Sequence, residues 1–231
     1  VDFLEEFNVP MYKIASFENN NFNLLSRIIK TKKPIIISLG MLEYIEIKNL
    51  VKFLNKNYSK NYILLKCTSS YPANPSDANI LTIPDMKKKF KCEIGLSDHT
   101  LGIGTSITAV ALGASLIEKH FCLKRTHGGV DSTFSLEPHE MKQLVIETER
   151  AWQSLGKIHY GPTKAEKGSA KRKRSLYIAE DMKKGDVLNE QKLRIVRPGL
   201  GLAPKYFDIL LGRKVNQEVK KGTAIKWDLI S

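Results

Sequence analysis

The feature that most restricts the fold of this chain is a beat of short β-rich apolar runs separated by helical patterns. The runs are Met11–Ser16 (MYKIAS), Pro34–Ser38 (PIIIS), Tyr62–Cys67 (YILLKC), Glu93–Ser97 (EIGLS) and Ser115–His120 (SLIEKH). Between them, Asn23–Lys30 and Tyr44–Asn55 carry apolar residues at three-and-four spacing. Leu101–Ala114 is small and apolar, with Gly102, Gly104 and Gly113, as a helix packed closely on a sheet would be. Glu140–Leu155 is amphipathic and opens on Pro138. Strand-then-helix units repeating every 22 to 31 residues, roughly, call for a parallel sheet wrapped by helices. Two architectures satisfy that rhythm, a doubly wound sheet and a (β/α)8 TIM barrel. No G-x-G-x-x-G follows any strand, which argues against a dinucleotide-binding sheet.

Chemistry sits at the end of every predicted strand: Lys13, Ser16 and Glu18; Ser38; Lys66 and Thr68; Ser97, Asp98 and His99; Glu118 and His120. Reactive groups supplied by several strand ends are what a barrel mouth looks like, so the barrel is the expectation. A full barrel takes about 250 residues. Residues 1–156 therefore supply about the last five of eight units, strands 4–8, and three strands are expected upstream of this sequence.

The 231 residues carry a net charge of +13, which raises the question of nucleic acid. The excess is not spread evenly. Residues 157–174, KIHYGPTKAEKGSAKRKR, hold seven basic residues and one acidic. With Gly161, Pro162, Gly168 and Ser169, that composition fits an exposed connector, over residues 157–173. An anion-binding patch at Lys171–Arg174 is the other reading, but no aromatic interleaving accompanies it, and no nucleic-acid partner is expected. The apolar runs are too short to span a bilayer, so no membrane partner is expected either. Cys67, Cys92 and Cys122 are odd in number and never form C-x-x-C, which favours a reducing, cytoplasmic setting over a disulfide framework.

Residues 174–231 follow a different grammar. RSLYIAEDMKKGDVL and GRKVNQEVKKGTAIKWDL each read as strand, charged Lys-Lys-Gly turn, strand, and between them lies the Pro/Gly loop IVRPGLGLAP with Arg197. A small β-rich domain with a thin core is expected there.

His99 and His120 stand 21 residues apart, each at a predicted strand end with one helix between. A parallel barrel brings such positions to neighbouring strand ends, where two imidazoles can share a metal ion. Two unrelated, hydrogen-bonded strand-end histidines are the bland reading. Lys13 lies inside the run YKIAS, where alternation sets it opposite Tyr12 and Ile14. A lysine facing a barrel interior needs an answering anion, either a phosphate-like ligand or a buried glutamate. Ser16, Ser38, Thr68, Ser69 and Ser97 offer hydroxyls at the same rim.

The motifs YKIASFE, PIIISLGM, LLKCTSSYPA, GLSDHTLGI, AVALGASLIEKHF, GGVDSTFSLEP and VRPGLGLAP, in this order, resemble the sialic-acid synthase family. Members of that family condense phosphoenolpyruvate with an acylamino sugar to give nonulosonic acids. LLKCTSSYP and GGVDSTFSLEP are more similar to its pseudaminic acid branch, with neuraminate and legionaminate synthesis as alternatives on the same scaffold. The resemblance implies a barrel followed by a small antifreeze-like (SAF) domain, and a domain-swapped homodimer. It implies that His99 and His120 hold a divalent metal, Mn or Mg. It places Lys13, Ser16, Ser38, Ser69 and Ser97 on phosphoenolpyruvate. Glu18, Tyr71 and Asp131 fall on positions facing the sugar, Glu18 with a catalytic part, and Arg197 on an arginine that reaches the sugar from the partner's small domain. Leu39 departs from the pattern, standing where threonine commonly follows the strand serine. The competing reading of another class is an inactive fragment or a non-catalytic anion- or partner-binding module.

Overall fold

The computed structural model describes residues 1–58 and 61–231, without the side chain of Ala170. It divides into two compact units, Val1–Lys157 and Ile158–Ser231. In chain order, the first unit contains α1 (Asp2–Glu6), β1 (Tyr12–Ile14), α2 (Phe22–Ile29), β2 (Ile35–Ser38), α3 (Tyr44–Asn57), β3 (Tyr62–Cys67), α4 (Thr82–Phe90), β4 (Glu93–Asp98), α5 (Gly104–Ala111), β5 (Ile117–Lys119) and α6 (Pro138–Leu155). The five strands form one all-parallel sheet in the order β1-β2-β3-β4-β5.

Local chemistry explains where the helices start. The Asn21 side chain accepts a hydrogen bond from Leu24 N at the head of α2. Capping boxes open α3 (Glu43 with Glu46) and α6 (Glu137 with Glu140, Pro138 in the first turn). The sequence reading did not foresee α4. Its apolar stripe is short, Ile83 and Met86 being the buried residues, and it holds Pro84 and three consecutive lysines. Pro84 falls in the first turn, where a missing N–H costs nothing. The predicted helix Leu101–Ala114 is shorter in fact, because Gly102 and Gly113 take left-handed backbone angles outside its ends.

The sheet has two different faces. Register pairs Ile14 with Ile37 and Leu64 with Ile94, and these side chains join Tyr12, Ile35, Tyr62 and Leu96 in the buried cluster under the helices. Period-two alternation sends Lys13, Ser38, Cys67, Ser97 and Glu118 to the other face. That face is concave. In a flat sheet four strand spacings of about 4.8 Å would hold β1 and β5 roughly 19 Å apart. Here Lys13 Nζ on β1 lies 3.5 Å from Glu118 Oε1 on β5. The five strands thus curl into a half-barrel with the reactive residues inside it.

Burial beneath the helices pushes the Tyr12 and Tyr62 phenols up to about 12, and at Tyr12 a 2.6 Å hydrogen bond donated to Glu5 adds to the effect. Both folded-state values lie above the ordinary 10, so their contribution is complete below pH 10 and is lost as pH rises toward 12. Tyrosinate absorbance at 295 nm is therefore expected to lag in the folded chain and to appear together with unfolding between pH 10 and 12. Replacing both tyrosines by phenylalanine should move the alkaline midpoint upward; an unmoved midpoint refutes the account.

The second unit contains α7 (Lys167–Ala170), β6 (Ser175–Ile178), β7 (Leu193–Val196) and α8 (Phe207–Leu210). Its antiparallel pair is β6 with β7, so the stretch before Arg197, read as loop, is a strand. The strand expected after the turn in each Lys-Lys-Gly segment is an isolated bridge instead (Val187 with Lys214, Ala224 with Tyr177), and the second segment has no strand before its turn either. Both Lys-Lys-Gly glycines, Gly185 and Gly222, do turn with positive φ, and Met182 and Val219, just before each turn, bridge one another. The core is small: Leu176, Ile178, Met182, Leu188, Leu193, Leu210, Val215, Val219 and Ile225. Part of the predicted connector is bound to this unit, for Gly199 N donates to Lys171 O and Gly199 packs against Lys173.

Candidate active site

Two histidines follow the C-terminal ends of β4 and β5, and the half-barrel brings their rings to a 5.2 Å centroid separation. The tautomer of each follows from its partners. His99 Nδ1 lies 2.9 Å from the Thr68 carbonyl oxygen, which only accepts, so Nδ1 carries the proton and Nε2 keeps its lone pair. His120 Nδ1 lies 3.5 Å from Asp131 Oδ2, which favours the same arrangement. Both Nε2 atoms are thus the ones left to bind. For His99, burial works against protonation, but hydrogen bonding to the Cys67 thiol and the Thr68 carbonyl outweighs it and holds the pKa above the ordinary value. His120 is pushed below, by burial first and then by neighbouring His99. Tyr71 leans over the pair, 4.4 Å from His99 and 6.0 Å from His120 between ring centroids, and Phe134 backs His120 at 4.9 Å.

From His99 the site continues as a chain of contacts across the concave face. Cys67 Sγ lies 3.9 Å from His99 Nδ1, 3.6 Å from Ser69 Oγ and accepts from Ser16 Oγ at 3.4 Å. Burial would raise the Cys67 thiol, yet these three partners bring it down to about 7. Ser16 Oγ in turn accepts from Gly40 N at 3.0 Å. Asn19 donates to the Ser38 carbonyl at 3.1 Å and holds the loop after β2. The Ser38 hydroxyl itself, 2% exposed, has no hydrogen-bond partner among the described residues. A buried hydroxyl left unpaired is rare and points to a group missing from its side of the site.

Lys13 and Glu118 occupy the middle of the face. Glu118 accepts from Ser97 Oγ at 2.7 Å and pairs with Lys13, while Lys13 Nζ also donates to its neighbouring Ile14 carbonyl at 3.0 Å. The answering anion for Lys13 within the chain is therefore Glu118. Lys66, counted among the strand-end groups, faces the helix side instead, donating to Cys67 O and Thr68 Oγ1. Asp98 also points away, into a buried ion pair with Lys119. Leu39 lies in the helix-side core, so the departure from the family pattern there falls outside the concave face.

The structure thus brings together His99, His120, Tyr71, Asp131, Ser16 and Ser69, and sets Lys13 and Ser97 around Glu118. Glu18 lies in the turn after β1, exposed, its carboxylate making no hydrogen bond or ion pair among the described residues. Arg197 belongs to the second unit, where with Arg194, Tyr177 and Lys221 it lines a cavity of about 630 Å³. Sequence reasoning passed over Cys67, Asn19 and Gly40 as site residues, and counted Glu118 only among the strand-end groups. Alternation along β3 could have singled out Cys67. Nothing local marks Gly40, whose small size matters only because Ser16 and Ser69 close on it.

A larger apolar groove, about 670 Å³, lies on the other side of the sheet among α5, β5 and α6, lined by Val110, Ile117, Leu144, Val145 and Trp152. It holds none of the histidines or concave-face groups, and geometry places the chemistry elsewhere.

Among the described residues no group of three or more His, Cys, Asp and Glu side chains is arranged to hold a metal ion, so the donor set is the two imidazoles. That pair fits a divalent ion with positions open for other ligands, since both Nδ1 atoms are tied back and both Nε2 atoms are left to bind.

A parallel half-barrel with its polar groups at the C-terminal strand ends, followed by a small β domain, defines a TIM-barrel-type enzyme class with an appended module. The profile of the NeuB family matches residues 1–160, and that of the SAF domain matches residues 173–231. The chain belongs to the NeuB family. It is 39% identical over 229 residues to the pseudaminic acid synthase of Campylobacter jejuni subsp. jejuni serotype O:23/36 (strain 81-176), covering 98% of this chain and 66% of that protein. It is 37% identical to the N,N'-diacetyllegionaminic acid synthase of Campylobacter jejuni subsp. jejuni serotype O:2, over 98% of this chain and 69% of that protein. Among solved structures, the N-acetylneuraminic acid (sialic acid) synthetase of Leptospira borgpetersenii serovar Hardjo-bovis matches with a TM-score of 0.67 at 40% identity, covering 73% of this chain and 59% of that one. The chain thus spans about two thirds of the length of the curated relatives it matches.

Proposed function

We propose that this chain carries the phosphoenolpyruvate- and metal-binding part of a nonulosonic acid synthase, with pseudaminic acid as product. The observation that carries this reading is the unpaired, buried Ser38 hydroxyl on the same concave face as Lys13 and the His99–His120 pair. The pseudaminic branch is supported by the likeness to synthases of that name at about 39% identity over nearly the whole chain.

In this reading Lys13 and the hydroxyls of Ser16, Ser38, Ser69 and Ser97 hold the phosphate and carboxylate of phosphoenolpyruvate, and their work is positioning. The geometry supports the grouping, because Ser16 and Ser69 both reach Gly40 and Cys67, and Ser97 meets Lys13 through Glu118. C3 of phosphoenolpyruvate bonds to the aldehyde carbon of the open-chain sugar, and the former carbonyl oxygen takes up a proton. Water adds at C2, and phosphate leaves with its bridging oxygen. A divalent ion, Mn or Mg, held by His99 and His120 would supply Lewis-acid polarisation of the sugar carbonyl. Tyr71, tilted against His99 and edge-on to His120, and Asp131, on His120, flank the sugar. Glu18 orients a sugar hydroxyl or moves a proton from the rim. Arg197 reaches the sugar from a partner's small domain in a swapped homodimer.

The test is a phosphate-release assay on the complete protein with phosphoenolpyruvate, Mn²⁺ and, in turn, the acylamino sugar precursors of pseudaminic, legionaminic and neuraminic acids. The expected result is phosphate release with the highest kcat/KM on the pseudaminic precursor. Preference for another sugar overturns the branch, and no release with any of them overturns the synthase.

A further inference from the structure

The two histidines owe their approach to the pairing of β5 with β4. β5 is three residues long and pairs with β4 through Leu96–Ile117, Ser97–Glu118 and Asp98–Lys119. Only one of those pairs joins two apolar side chains, so hydrophobic patterning specifies the register weakly. The last pair lies on the helix side of the sheet and comes immediately before His99 and His120. Asp98 Oδ2 accepts from Lys119 Nζ at 2.9 Å with both side chains at most 2% exposed. The rest of the carboxylate is saturated, by Thr100 N and Thr100 Oγ1 at 2.8 Å and Ser106 Oγ at 2.6 Å. Lys119 Nζ also donates to the Thr100 carbonyl, binding β5 to the backbone just beyond His99.

A buried ion pair is a poor way to gain stability, because desolvation consumes most of the attraction and apolar residues of equal volume do as well or better. What it does provide is one permitted alignment. A slip of β5 along β4 would leave two buried charges unpaired, and would carry His120 away from His99 by the rise of the strand, about 3.3 Å per residue.

We propose that the Asp98–Lys119 pair is a positioning device that fixes the β4–β5 register and thereby the spacing of His99 and His120 for a shared divalent ion. This rests on the two-histidine metal reading given above. Neither residue touches substrate or metal; both act through the strand ends from the opposite face.

The experiment replaces both partners at once, Asp98→Asn with Lys119→Met, in the complete protein, so that no charge is left buried alone. Mn²⁺ binding is read by the electron paramagnetic resonance signal of the free ion, β5 protection by amide hydrogen exchange over residues 117–121, and folding by the melting temperature. The expected result is a 10- to 100-fold weaker Mn²⁺ affinity, roughly the loss typical of outer-sphere partners, with faster exchange confined to β5 and melting close to that of the parent. Parent-like Mn²⁺ affinity in the folded double variant overturns the proposal. Ser106→Ala removes one hydrogen bond from Asp98 while keeping both charges, and covers the case of a double variant that does not fold. It should weaken Mn²⁺ binding by several-fold (on the order of the lower end of that range), and unchanged affinity counts against the device. If the parent protein binds no Mn²⁺, the metal reading fails, while unchanged β5 exchange in the variants separately refutes the role in register.

Discussion

Replacing His99 by alanine in the complete enzyme is expected to abolish metal-dependent condensation while the chain still folds. His99 is one of only two imidazoles in the donor set found among the described residues, so its loss leaves a single ligand. Loss of an outer-sphere partner typically costs 10- to 100-fold in metal affinity, and loss of an inner ligand should exceed about 100-fold. The structural cost is smaller. The half-buried Thr68 carbonyl loses its 2.9 Å donor, and the cost falls toward the lower end of the range of about 1–3 kcal/mol for a fully buried unsatisfied group. For a domain of this size that is a melting shift of several degrees, roughly 2–4 °C per kcal/mol. Phosphate release with added Mn²⁺, read beside the melting temperature, separates the two effects. Turnover within tenfold of the parent would remove His99 from the metal site.

The second large effect is expected at Gly40, a residue with no functional group. A Cβ built there would stand 2.1 Å from Ser69 Oγ and 2.6 Å from Ser16 Oγ, so Gly40→Ala must push both hydroxyls aside. Displacing positioning groups by about an ångström costs on the order of 10²-fold in rate. The loss should appear in kcat/KM for phosphoenolpyruvate, with Mn²⁺ affinity kept, because the atoms nearest the new methyl belong to Ser69 and Ser16. Gly40→Ala combined with Ser69→Ala removes the nearer clash and should recover part of the loss. An unchanged KM for phosphoenolpyruvate in the single variant would place the anion elsewhere.

The two variants probe different links between sequence and site. His99 and His120 were legible from the chain, because each ends a β-rich run at the expected interval and strand ends of a parallel sheet share one rim. The serines of that rim were legible for the same reason. Lys66 and Cys67 show where the reading fell short. Counting strand-end residues picked the lysine as the chemical group, whereas the pleat turns it to the helices and turns Cys67 inward, against His99, Ser16 and Ser69. The alternation that sets Lys13 opposite Tyr12 and Ile14 on β1 holds equally along β3. α4 went unseen for another cause: Ile83 and Met86 make too short a stripe, beside Pro84 and three lysines, to read as helix without the sheet they pack on.

The five strands and most of the helices between them, the parallel sheet that short strand–helix–strand units demand, the change of grammar after the 157–173 connector, and the residue types at each strand end can all be read along the chain. Those properties are local: hydrophobic period, caps and turns act over a few residues. The curvature that brings Lys13 to Glu118 across four strand spacings, the proton on Nδ1 of His99, the Ser38 hydroxyl unpaired among the described residues, and the buried Asp98–Lys119 pair behind the histidines emerge from the three-dimensional packing alone. Each of these depends on groups from different strands or loops meeting at hydrogen-bonding distance. Such meetings are fixed by how the sheet curls and packs, and no pattern within one segment encodes them.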